Sequence, residues 1–270
     1  MSRMSNFVFG FSAAVAITAT TTYADVTLQD GTVLSDTPTF IVTYIEADAA
    51  SSDAVADLIK TQTADSKNED GNIRFEGLQR IGQDNHFVIL EAWSGPEQRA
   101  AHASAAHTVA FRGTLEPMLY APYDERPHVG LGAADPTTLA EGDAATVYVI
   151  THADIIPPEQ FAPCDRQVDP SGPCGNEMMS DLAAFGRTHD GNMRFDILTQ
   201  SNRGNHMSVV EMWATGDAQV AHQNTAEKKA FRNQLSGIPA DGGVNPDPQF
   251  VLNMLTGSLW DERLYKLISN

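Results

Sequence analysis

The sequence predicts an α+β fold built from two tandem halves, each a β-α-β-β-α-β unit, whose sheets face one another as a barrel inside one polypeptide. Three observations carry that expectation. The run from Asp70 to Leu115 recurs without a gap as Asp190 to Leu235, with 17 of 46 positions identical, far above chance for unrelated segments. Both copies pass through strands and helices in the same order. A sheet of this kind carries helices on one face only, so its bare face needs a partner, and a second copy in the same chain supplies one.

The chain opens with Arg3, an apolar run from Phe7 to Ile17 and Thr22-Tyr23-Ala24. That is the pattern of a cleavable secretory signal over residues 1–24, with Asp25 as the expected mature N-terminus. The apolar run of 11 residues is too short to cross a bilayer as a helix, and no later segment is long enough. The expected location is therefore periplasmic or secreted. Residues 25–38 are polar and Gly/Pro-punctuated, an N-terminal arm.

The first domain is expected over residues 39–131. Thr39 to Ala47 is β-rich, and Ser52 is placed to cap a helix whose Val55, Leu58 and Ile59 share one face. Glu69-Asp70-Gly71 turns into a second strand, Asn72 to Arg80, with Asn72, Arg74 and Glu76 on one face and Ile73 and Phe75 on the other. A Gly82-Gln83-Asp84-Asn85 turn leads to the third strand, His86 to Trp93. Ser94-Gly95-Pro96-Glu97 has the form of a capping box, opening one helix that runs to about Leu115. Arg126 to Leu131 supplies the last strand, completing the ferredoxin-like order. A linker over 132–145 joins a second domain, 146–270, which repeats the order with insertions at 157–175 and 239–257.

Lys and Arg number 17 against 35 Asp and Glu, a formal charge of −18 that becomes −19 without Arg3. Such an acidic surface repels nucleic acid and anionic lipid. The two cysteines, Cys164 and Cys174, lie in one Pro- and Asp-rich loop of an exported chain, which favours a local disulfide. That loop offers too few ligands for a metal. With no C-x-x-C-H, Gly-rich dinucleotide loop or H-E-x-x-H in the chain, no metal and no cofactor are expected.

Glu91-x-Trp93 followed by Ala101-His102 and Ala106-His107, inside a β-α-β-β-α-β unit, resembles the antibiotic biosynthesis monooxygenase domain, a dimeric α+β barrel group that includes quinol monooxygenases. The resemblance covers residues 39–131 and, with the insertions, 146–268. It implies a pocket between each sheet and its helices, where some members oxidise phenolic or quinol substrates with O2 and neither metal nor flavin. It also implies no heme, since Arg112 and Arg232 stand near the position of the axial histidine of heme-degrading relatives. The partners it implies are a small aromatic substrate and O2. A tandem barrel would be a monomer with an internal pseudo-dimer, or a building block of a higher homo-oligomer.

That chemistry needs a base for a phenolic hydroxyl, an apolar cavity, and donors for the resulting anion and reduced oxygen. Histidine suits the base because its pKa sits near neutrality. His102 recurs as His222, whereas His107 is replaced by Glu227. In one continuous helix residues five apart project about 140° from each other, so His102 and His107 are not expected to face one ligand together. Either could be the base. Trp93 and Trp213 are core residues or the π-wall of an aromatic site. Glu91 is expected to pair with Arg74 or Arg112, and Glu211 with Arg194 or Arg232. Asn72 and Asn192 either donate to a bound oxygen or satisfy their own turns. Tyr44, matched by Thr151, joins Arg74, Phe111, Asn192 and Phe231 as candidate substrate contacts. The Asp-Glu-Arg triplets at 124–126 and 261–263 are expected to anchor the last strands through Arg126 and Arg263.

Three functions stay open at this point. A monooxygenase needs O2, an isomerase or lyase on the same scaffold does not, and a peroxidase needs peroxide. A non-catalytic module binding a small aromatic or a protein would show ligand-dependent stabilisation without turnover.

Overall fold

The structure of the protein, a computed structural model, describes residues 26–27, 33–34, 39–154, 175–200, 203–235 and 259–269. The signal segment, Cys164 and Cys174 with their expected disulfide, and both insertions apart from Gly175 lie outside the described residues. In the arm, β1 (Val26–Thr27) and β2 (Val33–Leu34) pair antiparallel. The first repeat runs β3 (Thr39–Glu46), α1 (Ser52–Ser66), β4 (Asn72–Arg80), β5 (His86–Trp93), α2 (Pro96–Ser104), α3 (Ala106–Leu115) and β6 (Asp124–Gly130). The second runs β7 (Val147–Asp154), α4 (Gly175–Gly186), β8 (Asn192–Gln200), β9 (Arg203–Trp213), α5 (Gly216–Gln223), α6 (Ala226–Leu235) and β10 (Leu259–Ser269).

Eight strands close into one antiparallel barrel in the order β10-β4-β5-β3-β6-β8-β9-β7. The two halves face each other as expected, and they are also hydrogen-bonded edge to edge at two seams. At one, His128, Val129 and Gly130 of β6 pair with Gln200, Thr199 and Leu198 of β8. At the other, β10 pairs with β4 from Tyr265↔Arg80 to Ser269↔Gly77. Closure leaves the barrel with no free strand edge.

Alternation along the strands sends one set of side chains into the barrel and the other under the helices. Phe40, Val42, Leu78, Leu90, Tyr148 and Val210 belong to the buried cluster inside the barrel. Ile41, Ile59, Phe75, Trp93, Phe111 and Leu115 fill the helix side of the first repeat, and Val149, Phe195, Trp213 and Phe231 that of the second. Among the apolar residues inside the barrel sits a charged knot to which each repeat contributes an arginine and a carboxylate. Arg194 reaches Glu76 at 2.9 Å and Asp196 at 2.5 Å, Arg74 lies 3.4 Å from Glu76, and the Tyr148 hydroxyl donates to Glu76 at 2.8 Å. Arg74 also donates to the carbonyls of Pro136, Leu139 and Ala140, strapping residues of the expected linker across this end.

Several local expectations give way. A β-bulge between Asn72 and Arg74 shifts the register, so Ile73 packs with the barrel interior rather than beside Phe75. The same bulge recurs between Asn192 and Arg194. Ser52 does not cap α1; a 3-10 turn, Ala49–Ser51, precedes the helix, and the Ser52 hydroxyl donates to the Asp84 carbonyl in the neighbouring hairpin. No capping box forms at Ser94 and Glu97, because Gly95 is the N-cap and makes no side-chain bond.

Gly71 carries the turn that leads into β4. Its φ is +74°, and a Cβ there would stand 2.3 Å from Gln98 Cγ and 2.5 Å from Ser94 Oγ. Its carbonyl accepts from Ser94 N at 2.9 Å, tying the turn to the start of α2. Gly71→Ala is therefore expected to destabilise by about 1–2 kcal/mol from backbone conformation, with a further steric cost, read as a lower urea midpoint. A midpoint within error of the wild type would show that the turn relaxes freely.

Candidate functional site

Three helix ends meet on the helix layer of the first repeat. Glu69 follows the end of α1, where its N–H donates to Ser66 O and its carbonyl accepts from Asn72 N, each at 3.1 Å. His102 lies in the last turn of α2 and His107 in the first turn of α3. The helix predicted as continuous is interrupted at Ala105, whose extended backbone (φ −61°, ψ 144°) changes the direction of the chain between the two histidines. That break overturns the expectation that they diverge. The rings are 5.8 Å apart by centroid; His102 Nδ1 donates a hydrogen bond to Glu69 Oε2, and His107 Nε2 lies 3.6 Å from the same oxygen.

His102 is only 3% exposed. Its ring lies 4.7 Å from Trp93 and 5.6 Å from Phe75, and its Nε2 stands 4.0 Å from Glu91 Oε2. Burial lowers its pKa, with Glu69 opposing, so the imidazole is held neutral around neutrality. Thr108 Oγ1 lies 3.4 Å from Nδ1 and accepts from Gln62 Nε2 at 3.1 Å.

Beneath this group sits a buried carboxylate. Glu91 accepts from Trp93 Nε1 at 2.7 Å and pairs with Arg99 at 3.1 Å; Arg99 also reaches Glu125 at 2.6 Å, and Arg112 pairs with Glu125. The expected partners Arg74 and Arg112 are not used. Arg74 projects from the opposite face of β4 into the barrel, and Arg112 lies over the Tyr123 ring. Burial pushes Glu91 up to about 7, against Arg99 and the Trp93 bond. An unfolded glutamate titrates near 4.3, so between those values the native state binds more protons than the unfolded state and stability falls as pH rises. Glu91→Gln removes that dependence. The stability difference between variant and wild type is expected to shift by roughly 3 kcal/mol in favour of the variant between pH 4 and pH 8, measured by urea melts across that range. A constant difference would mean that Glu91 ionises freely.

Comparison with known proteins agrees with this architecture. Residues 38–114 match the family described as Antibiotic biosynthesis monooxygenase. YcnE of Bacillus subtilis (strain 168), an inferred monooxygenase, is 32% identical over 59 residues, 22% of this chain and 62% of that protein. The match thus spans less than two thirds of that relative. A Fusobacterium nucleatum structure described as an inferred monooxygenase superposes with a TM-score of 0.64 at 12% identity, over 86% of this chain and 93% of the other. The chain has an antibiotic biosynthesis monooxygenase-like fold. An anthrone oxidase-like protein shares this fold with a TM-score of 0.55 at 11% identity, over 86% of this chain and 91% of that one.

Within the monooxygenase-like fold the two repeats hold similar networks with the buried cation in a different place. Glu211 accepts from Trp213 Nε1 at 2.9 Å, yet its cation is neither Arg194 nor Arg232 but Lys228, at 3.4 Å. Lys228 also lies 3.2 Å from Glu262, which Arg232 pairs with at 2.6 Å. Arg99 of the first repeat aligns with Gln219 of the second, and Thr108 with Lys228, so the buried cation has moved from the second helix to the third. The Asp-Glu-Arg triplets attach to the helices through Glu125 and Glu262. Arg126 and Arg263 chiefly pair with Asp124 and Asp261 on their own strands.

The other candidates divide between the two faces. Trp93 and Trp213 are fully buried. Phe111 and Phe231 pack in the helix-side clusters, Phe231 also facing a cleft of ≈ 380 Å³. Asn72 stands opposite Trp93 in the ladder, and Asn192 Nδ2 donates to Arg194 O at 3.2 Å, serving its own strand. Tyr44 and Arg74 point into the barrel, away from His102, because they alternate onto the inner face; Arg126 covers the Tyr44 ring at 4.7 Å. The strand pairing also makes His152, not Thr151, the counterpart of Tyr44.

The chamber expected beneath α2 and α3 is filled by Trp93, Phe75, Phe111 and Leu115. Open space lies instead at the surface, in a cleft of ≈ 370 Å³ lined by Glu69, Asp70, Glu97, Gln98, Ala101 and His102. Glu69 and Arg99 carry no signal of their own in a reading of single motifs. Extending the internal alignment one residue upstream pairs Glu69 with His189, as His107 pairs with Glu227, and that exchange marks the site.

Proposed function

We propose that the first repeat oxidises a quinol or polyphenol-type small aromatic with O2, outside the cytoplasm and with the substrate as its own electron source. The observation that supports this reading is the Glu69–His102 pair, placed on the wall of an open cleft with neutral His102 backed by Trp93. A phenol docked in the cleft gives its proton to His102 Nε2, and the imidazolium that forms is held by its Nδ1–H bond to the Glu69 carboxylate. The phenolate then delivers electrons to O2 and an oxygen adduct forms at a ring carbon. Loss of water from the adduct leaves one oxygen atom on the ring as a carbonyl; the water carries the other oxygen, the phenolic proton and the ring hydrogen. Substrate thus loses two hydrogens and gains one oxygen.

The second repeat acts as scaffold in this reading. His189 stands where the first has Glu69, and burial, then Lys228, pushes His222 down to about 3, too low for proton uptake near neutrality. Oxygen uptake with a panel of hydroquinones and anthrones tests the proposal, with ¹⁸O2 label expected in the product. Turnover that persists without O2 would assign an isomerase or lyase instead. Thermal stabilisation by the same compounds with no oxygen consumed would assign a binding module.

A further inference from the structure

We propose that Glu69, His102 and His107 form a site for one divalent first-row transition-metal ion of the Zn²⁺ class. One ligand atom from each lies within 4.8 Å of the others. A tetrahedral ion with bonds of about 2.0–2.1 Å sets its ligands about 3.3 Å apart, and His107 Nε2 already lies 3.6 Å from Glu69 Oε2. Two imidazoles and a carboxylate suit Zn²⁺, Co²⁺ or Fe²⁺ rather than Mg²⁺ or Ca²⁺, which prefer oxygen ligands.

Two further features fit an ion better than a shared proton. His107 Nε2 is buried and has no hydrogen-bond partner among the described residues, a state that needs an explanation in a polar cluster. The cleft reaches Glu69 and His102, leaving a fourth position for water or an exogenous ligand.

The second repeat offers a comparison. At the three aligned positions it carries His189, His222 and Glu227, again two histidines and one glutamate, with glutamate and histidine exchanged between the outer two. His189 Nδ1 and His222 Nδ1 lie 3.1 Å apart. Among the described residues those three do not gather as a ligand set, as Glu69, His102 and His107 do, and Glu227 is exposed. Lys228 in place of Thr108 also puts a positive charge beside His222, so the first repeat alone holds the proposed site.

Proton and metal compete for the same side chains as the proposed base, but metal binding is read without turnover, so it stands or falls separately from the oxidation. The full-length protein is titrated with Co²⁺, followed by visible absorption, and then with Zn²⁺ as competitor. One tight Co²⁺ per chain is expected, displaced by Zn²⁺ and retained in Glu227→Ala. His107→Ala, which removes a half-buried ring and keeps the Glu69–His102 bond, is expected to weaken binding by roughly 100-fold or more while leaving the circular dichroism unchanged. Absence of tight binding in the wild type, or equal affinity in His107→Ala, overturns the proposal.

Discussion

Lys228→Thr is expected to cost about 3–5 kcal/mol of folding stability, the range for breaking a buried ion pair by removing one partner. Lys228 and Glu211 are both 0% exposed, and the ammonium sits among the Trp260, Phe231 and Phe195 rings at 5.0–6.0 Å. Without it, Glu211 is left as an unpaired carboxylate in an apolar layer. The first repeat shows how the loss can be repaired, since there Thr108 coexists with Arg99. Lys228→Thr combined with Gln219→Arg recreates that arrangement and should recover most of the loss. Urea melts of the single and double variants check both parts. A single variant within about 1 kcal/mol of wild type would mean that water or Arg232 already compensates Glu211.

Glu69→Gln is expected to lower kcat for oxygen uptake by ~10²–10⁴-fold, the usual contribution of a positioned acid–base group. Glutamine keeps the size of the side chain and a hydrogen bond to His102, but it carries no charge to stabilise the imidazolium, so kcat should fall while KM changes little. The wild-type rate should also be flat across neutral pH and fall only in acid. The base must be neutral to work, and burial sets the His102 pKa below its usual 6.5. A Glu69→Gln rate within a few-fold of wild type would remove Glu69 from the reaction.

Much of the fold was legible because alternation and turn chemistry agreed. The second and third strands, Asn72 to Arg80 and His86 to Trp93, are bounded in the structure as the pattern predicts. The helix break at Ala105 was hidden in the first copy, where Ala103-Ser104-Ala105-Ala106 carries no stop signal strong enough to see. The second copy displays one: Asn224-Thr225 fills the same place, and Thr225 Oγ1 accepts from Lys228 N at 3.2 Å as a cap. Reading the clearer copy would have predicted the break and brought His102 and His107 together. The ion-pair partners were missed for a different reason. Period-two alternation says that Glu91 and Arg74 occupy opposite faces of their layer only once the register across the bulge is known, and sequence spacing does not reveal that register.

The two seams of the barrel have a consequence for how this chain can change. In an assembly of identical subunits every substitution is made twice and must be tolerated on both sides of the symmetry axis. Here β6 meets β8 and β10 meets β4 within one chain, so each half can be altered alone while the other preserves closure. A lysine in place of a threonine, or a glutamate traded for a histidine, then becomes a private change, and one cleft is free to specialise while its twin is held to architecture.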